Sequence, residues 1–419
     1  MLVWAAHPVG FALLTSKDHQ FVAFYDDKRQ LTVAQRKLTD TAWQFTKLPR
    51  TTGWDSHNYI ALAVDDDGYL HLSGDMHVVP LLYFRTTKPL DSATFEKIPS
   101  MIGNKETHVT YPIFMRGAKN AFLYTYRDGA SGNGDQIYNV YDHKTKTWTR
   151  LMDKPLSDGE GERNAYFNLP QRGPDGYFHM VWVWRETPDA SSNHDPSYAR
   201  SKDLVHWEKS DGSPQLLPIT LKTGDIVDAV PVKGGVINGN VRLGFDGEKR
   251  PIVTYHKYDA RGNVQIYNAR REAGGWKITQ ATEWNWRWDF GGGGSIPFEV
   301  RVSPVQLRPD GTLTQSYGTM HHGSGQWVLN PVTLKPIPGA AVPDADKQRP
   351  AYPAEISKVT SAFPEMEVRW AGDSGPSGEP GVRYVLRWET LGPNRDRPRT
   401  GPLPEPTMLR LYKLRTGGE

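Results

Sequence analysis

The chain has 419 residues, 50 basic and 47 acidic side chains, a formal charge of +3, and no cysteine. So even a balance, without a basic stripe, argues against nucleic acid as a partner, and no run reaches the ~18 apolar residues of a membrane span. Disulfides and thiolate metal sites are excluded, while 14 Trp and 19 Tyr among 40 Gly and 32 Pro suit the packing of short β-strands.

The start, Met1-Leu-Val-Trp-Ala-Ala-His7, lacks a basic n-region and an apolar h-region. Cytosolic residence and an export signal already removed are both compatible with it. Beyond it a unit recurs: a short apolar strand ending in aromatic or charged residues, then a second strand. The clear openings are Gln20-Phe-Val-Ala-Phe-Tyr-Asp26, Gly68-Tyr-Leu-His-Leu-Ser-Gly74, Ala121-Phe-Leu-Tyr-Thr-Tyr-Arg127 and Gly176-Tyr-Phe-His-Met-Val-Trp182. Weaker copies begin at Pro251, Gly311 and Met366, so the openings near 20, 68, 121, 176, 251, 311 and 366 lie 48 to 75 residues apart. That period fits a four-stranded sheet plus loops and predicts an all-β, seven-bladed β-propeller as one domain over residues 1–419. The opening strands are read as the innermost ones, whose ends would meet at a common funnel.

Second strands such as Leu31-Thr-Val-Ala-Gln-Arg36 and Ile137-Tyr-Asn-Val-Tyr141 alternate as sheet strands do. Trp43, Phe95, Trp148, Trp207 and Trp276 recur late in successive units, where plugs between blades are expected. Ser201-Lys-Asp-Leu-Val-His-Trp207 resembles the Asp-box turn of sialidase-like propellers and bears on fold alone. The stretch Pro336 to Pro364, rich in Pro and Ala, is expected to wrap the outside.

Ionisable groups collect at strand ends: Asp75 and His77 in the second unit, Arg127 in the third, Arg185 in the fourth. Preceding loops add Trp54-Asp-Ser-His-Asn-Tyr59 and Thr110-Tyr-Pro112, and later stretches add Asp158-Gly-Glu-Gly-Glu-Arg-Asn164 and Asn193-His-Asp-Pro-Ser-Tyr-Ala-Arg200. Histidines, a tyrosine and arginines together suit β-elimination from a uronic acid. Abstracting the C5 proton needs a base that titrates near neutrality, which His supplies. The carboxylate must be neutralised as it becomes enolate-like, which Arg can do. A hydrolase more usually needs two carboxylates; Asp55, Asp75 and Asp128 are the nearby candidates.

Each group also has a bland reading. His57 can serve its own loop, Tyr111 before Pro112 can be structural, and Arg127 and Arg185 can pair with Asp128 and Glu186. His71 and His179, inside apolar strands, read as core. His321 and His322 would face opposite ways on a strand, which disfavours a shared metal. Trp284, Trp286 and Trp288 would share one strand face, packing between blades or stacking on sugars.

Trp54-Asp-Ser-His-Asn-Tyr-Ile60, His71-Leu-Ser-Gly-Asp-Met-His77, Tyr124-Thr-Tyr-Arg-Asp-Gly-Ala-Ser-Gly-Asn-Gly134, Asp158-Gly-Glu-Gly161, Val181-Trp-Val-Trp-Arg185 and Ser197-Tyr-Ala-Arg-Ser201 resemble one family. It is that of the BNR-repeat propellers acting on rhamnose-capped glucuronides: L-rhamnose-α-1,4-D-glucuronate lyases, related α-L-rhamnosidases and, more distantly, ulvan lyases. The resemblance runs to about residue 330. The lyase branch uses two histidines twenty residues apart and a Tyr and Arg sixteen apart, matched here by His57 and His77 and by Tyr111 and Arg127. It implies His77 as the base, Tyr111 or His57 assisting the leaving oxygen, and Arg127 on the carboxylate. Asn58, Arg185, His194 and Arg200 are expected substrate contacts. The hydrolase branch is identified by a histidine in the first blade; Gln20 stands at that position and His19 one residue off, and a one-residue slip reverses a side chain's direction. The resemblance further implies an exported, monomeric enzyme on an acidic oligosaccharide or polysaccharide such as a plant arabinogalactan. The chemistry needs no cofactor; a structural calcium ion is implied without a clear ligand loop. The rival expectations are an α-L-rhamnosidase and a non-catalytic glycan-binding propeller.

Overall fold

The computed structural model describes residues 1–342 and 352–415, and the chain is all-β: seven antiparallel sheets of three to six strands follow one another along it, with one two-stranded ribbon. The first sheet is Ala12–Ser16, His19–Tyr25, Gln30–Lys37 and Gln44–Thr51 in that order. The second is Ile60–Val64, Leu70–Gly74, Tyr83–Thr86 and Phe95–Ile98. The third runs Val109–Arg116, Phe122–Ala130, Asn133–Asp142 and Thr147–Arg150, and the short strand His77–Val79 adds to its first edge. The fourth is built on Asn164–Phe167, Phe178–Arg185 and Asn193–Ser201, the fifth on Arg242–Phe245, Pro251–Tyr258, Val264–Glu272 and Gly275–Gln280. Leu313–Thr319 centres the sixth, and Met366–Gly372, Val382–Leu391 and Arg410–Arg415 make the seventh.

The openings at 20, 68, 121, 176, 251 and 311 are therefore second strands, each preceded by another nearer the next sheet; only Met366 opens its sheet. The reason is burial. Phe178–Arg185 is buried along its whole length and reads as a continuous apolar run, whereas Ile60–Val64 is only partly buried and gives a weak pattern. First strands pack side by side: Ala12–Ser16 lies against both Ile60–Val64 and Met366–Gly372, so first and last sheets meet. Asp373 seals that junction, accepting from the Thr15 backbone N–H at 2.8 Å.

The core is divided between neighbouring sheets. Its largest part joins the first three sheets to the seventh, and separate clusters fill the spaces between third and fourth and between fourth and fifth. Trp148 and Trp207 are buried; Trp148 donates its indole N–H to the Tyr83 hydroxyl of the neighbouring sheet at 3.1 Å. Trp276, half-buried, meets the fourth sheet's Tyr198 edge-on at 5.2 Å.

Turns at one end of the sheets are tied by aspartates. Asp65 accepts from the Asp67 and Tyr69 backbone N–H groups, and Asp203 from those of Val205 and His206, while Trp207 donates to the Leu204 carbonyl. Two expectations change here. His321 and His322 sit on a hairpin turn, not a strand, and stack on Trp286 and Trp284 with centroids 4.2 and 5.2 Å apart. Trp284, Trp286 and Trp288 lie on irregular chain, with only Trp288 buried. Of the Pro336 to Pro364 stretch, residues 343–351 lie outside the described residues; Ala354–Ser357 forms a helical turn. Among the described residues, no helix is long and apolar enough to cross a membrane.

Candidate active site

At the other end of the sheets, the loop after the first one closes into a 3-10 turn, Ser56–Asn58, with Asp55 as its N-cap. Asp55 Oδ1 accepts from the His57 backbone N–H at 2.8 Å and lies 2.6 Å from His57 Nδ1; Oδ2 lies 2.6 Å from Nδ1 of His77. The rings stack, 4.0 Å between centroids and 23° apart. One carboxylate thus holds two imidazoles. Burial pushes the Asp55 carboxyl up, but the bonds from His57 and His77 outweigh it and hold it well below the usual carboxylate range. An ionised carboxylate takes an Nδ1–H from each ring, and each Nε2 is then left with its lone pair.

His77 is placed by local strain. Its neighbours Asp75 and Val78 have φ of 55° and 58°, the latter rare for a β-branched residue, and the Val78 N–H is caught by Thr110 Oγ1 at 2.9 Å. Although it follows the second sheet in sequence, His77 pairs with Thr110 of the third. Asp75 itself turns to Arg50, away from the imidazoles.

Tyr111 sits where the third sheet's first strand bulges, between Thr110 and Ile113, with φ of 60°. Its ring lies 5.4 Å from that of His57 and 6.1 Å from Tyr166. Burial and the neighbouring Tyr166 push its phenol up, against the pull of Arg127 and Arg185, so it stays protonated at neutral pH. Arg127 is 1% exposed; it donates to Thr110 Oγ1 at 3.0 Å and the Tyr166 hydroxyl at 3.3 Å, lies over the Tyr111 ring at 5.0 Å, and leaves its Nε without a partner. Gly134 makes room for it: a Cβ there would fall 2.9 Å from Arg127 Cδ. Arg185, also buried, lies 5.3 Å over the other side's ring, Tyr166, and bonds the carbonyls of Thr187 and Pro188.

Neither arginine forms an ion pair within 4 Å among the described residues, although the Arg185 charge helps to lower the Asp189 carboxyl. Asp128 lies 3.7 Å from Lys105, and Glu186 is taken by Arg163 at 2.9 Å and His194 at 2.7 Å. The alternative reading, in which Arg127 and Arg185 pair with Asp128 and Glu186, does not hold. Both guanidinium groups lie against Tyr166, and Arg127 with Tyr59, Tyr111, Gln136, Asn164 and Asn168, among others, lines a cavity of about 200 Å³ with no acidic residue in its wall. A buried charge without an opposite charge is costly, and Arg127 is met here only by the hydroxyls of Thr110 and Tyr166.

Other expected contacts fall elsewhere. Asn58 is a structural pin: its amide donates to Thr52 Oγ1, and its carbonyl accepts from Tyr25. His194 is held at both nitrogens by Glu186 and Asp195, which raise its affinity for a proton against the effect of burial. Arg200 pairs with Glu208 beside Tyr177. Its strand leaves the mouth at Asn193, opposite Arg185, so Arg200 lies seven residues, roughly 23 Å, down the sheet. The spacing missed Tyr166, the ring between the arginines, and Asp396, whose Oδ2 lies 3.6 Å from His57 Nδ1.

Among the described residues, the one group of three acidic or histidine side chains with ligand atoms within 4.8 Å is Asp55, His57 and His77. Calcium takes six to eight oxygens, and the 2.6 Å N–O spacings are hydrogen bonds, shorter than the ~3.3 Å between ligands on a tetrahedral metal with ~2.05 Å bonds. These residues do not fit a calcium site.

No curated protein matches this chain. Among solved structures, polysaccharide lyase Uly1 is similar over 99% of this chain and 91% of its own, at 15% identity and a TM-score of 0.60. A PL25 ulvan lyase bound to -[GlcA(1-4)Rha3S]- is similar over 99% of this chain and 94% of its own, at 12% identity and 0.57. At such identities the likeness bears on fold. The segment carrying His57, His77, Tyr111, Arg127 and Arg185 lies within residues 19–284, which match a family model over more than half the chain, and this protein belongs to that BNR repeat-containing family.

Proposed function

We propose that the chain is an exported polysaccharide lyase that releases terminal L-rhamnose from α-1,4-linked D-glucuronic acid by β-elimination, leaving a 4,5-unsaturated uronate. The seven sheets are read as blades of one propeller, with the cavity at its funnel mouth. The observation that carries the reading is Arg127, buried beside the cavity without a carboxylate of its own. A uronate carboxylate would complete it.

His77 Nε2 takes the C5 proton, and the C–H electron pair becomes the C4–C5 double bond as the C4–O bond breaks. Tyr111, whose phenol burial keeps protonated, gives its proton to the leaving oxygen. Arg127 and Arg185 neutralise the carboxylate while its α-carbon carries charge. The lyase neighbours support an elimination on an acidic glycan. Hydrolysis is less well supported, since the cavity wall lacks a carboxylate pair and Gln20 is occupied by Arg36 and Thr15.

The test is incubation with a rhamnosyl-α-1,4-glucuronate oligosaccharide, following ultraviolet absorbance of the unsaturated product and free rhamnose together. Equal yields of both are expected. Rhamnose without absorbance would make the protein a rhamnosidase, and neither signal would favour another glycan or a binding role.

A further inference from the structure

The loop before the last strands carries two residues in the left-handed region, Arg395 with φ of 52° and Asp396 with φ of 55°. Such backbone persists only where its surroundings hold it. Arg395 Nη1 donates to the carbonyls of Gly291 at 2.7 Å and Gly293 at 3.3 Å, and a Cβ on Gly294 would fall 2.3 Å from the Arg395 carbonyl oxygen. The glycine run from 291 to 294 is thus the seat of this loop.

The seat aims Asp396 at the histidine pair. Its side chain is 6% exposed; Oδ1 accepts from Ser56 N–H at 3.0 Å and Oγ at 2.7 Å, and Oδ2 from Ser295 N–H at 2.8 Å. His7, itself buried, lies 3.4 Å away on the far side. Burial pushes the Asp396 carboxyl up, but His7 and Ser56 outweigh it, holding it well below the usual range.

The two imidazoles are therefore not equivalent. His57 Nδ1 has Asp55 at 2.6 Å and Asp396 at 3.6 Å, the second being an ion-pair distance without a hydrogen bond; His77 Nδ1 has Asp55 alone. His57 also faces the ring of His77 and the phenol of Tyr111, with Arg127 behind that phenol, and Asp75 with Arg50 stands behind Asp55.

We infer that Asp396 is a positioning residue for this site: from the far end of the sequence it fixes the His57 turn, and its second carboxylate biases the pair's proton onto His57, leaving Nε2 of His77 as the base. The word base rests on the lyase reading; the coupling of Asp396 to His57 does not.

The test uses the full chain labelled with ¹⁵N-histidine, as parent, Asp396→Asn and Asp396→Glu. In Asp396→Asn the ring ¹⁵N resonances of His57 at neutral pH should move and those of His77 move less, with the melting temperature within a few degrees of the parent. Asp396→Glu should restore part of the shift. On the rhamnosyl-glucuronate substrate, kcat of Asp396→Asn should fall at the parent's optimum, with KM little changed. Unmoved His57 ring resonances in the folded variant, or equal shifts of both rings, would overturn the inference. If Asp396→Asn does not fold, Ser56→Ala removes one bond to the carboxylate and should produce a smaller change confined to His57; no change there overturns it as well. A shifted His57 in a parent without elimination activity would leave the inference standing and end the lyase reading.

Discussion

Four of the histidines that lie beside aspartates divide between the two ends of the sheets, and the two ends use the same pairing differently. At the turn end, His71 bonds the Tyr83 hydroxyl through Nδ1 and Asp65 through Nε2, and His179 does the same with Tyr198 and Asp175. Both are buried with both nitrogens engaged, and burial draws both to the neutral form against their aspartates. At the mouth, His57 and His77 spend one nitrogen each on Asp55 and stay partly exposed. The aspartate is common to both ends; what differs is whether a lone pair remains to do work.

That contrast breaks first if His77→Ala keeps its turnover. Loss of a general base costs about 10²- to 10⁴-fold, and the melting temperature should hold, because the ring is partly exposed and Asp55 keeps His57. Next comes Arg127→Met, for which kcat/KM should drop about 10²- to 10³-fold. Since replacing an unpaired buried charge by an apolar group is neutral or stabilising, its melting temperature should hold or rise; a large fall would make Arg127 a structural residue. His71→Ala should do the reverse, costing roughly 2–4 kcal/mol of stability in urea through the cavity and the stranded Asp65 and Tyr83, with kcat per folded molecule unchanged.

The smallest effect is on pH. Burial lowers His256 from 6.5 to about 4. A base depressed in the folded state contributes stability that is complete above the unfolded value and is lost as pH falls from 6.5 toward 4, about 3 kcal/mol in all. His71 and His179 act in the same direction. Unfolding free energy measured at pH 7, 5 and 4 should decline, and more shallowly in His256→Phe, which matches the apolar contacts with Trp288 and Phe290; an equal slope would show that His256 is not the source.

The sequence showed strands best where they are buried on both faces, as in Phe178–Arg185, and least where the first strand of a sheet is short and half-exposed, as in Ile60–Val64. Half of the candidate site was legible for a similar reason. His57, His77, Tyr111 and Arg127 lie in local motifs, and local spacing is what a sequence displays. Asp55 stood in plain view as a carboxylate, but its grip on two rings depends on a 3-10 turn and a strand that changes sheets. Arg200 was misplaced because strand direction, invisible in a motif, carries it away from the mouth. Asp396 had no local signal at all: its partner Ser56 is 340 positions away.

That separation also sets a timetable. The N-terminal strand Leu2–Val3 pairs with Thr407–Met408, and Asp396 reaches His57 from the same late segment. A chain still emerging from the ribosome can stack its early sheets and bring His57 beside His77, yet it lacks the second carboxylate until residue 396 is made. Up to that point the two rings share Asp55 on equal terms, and the asymmetry between them is a late addition to the fold.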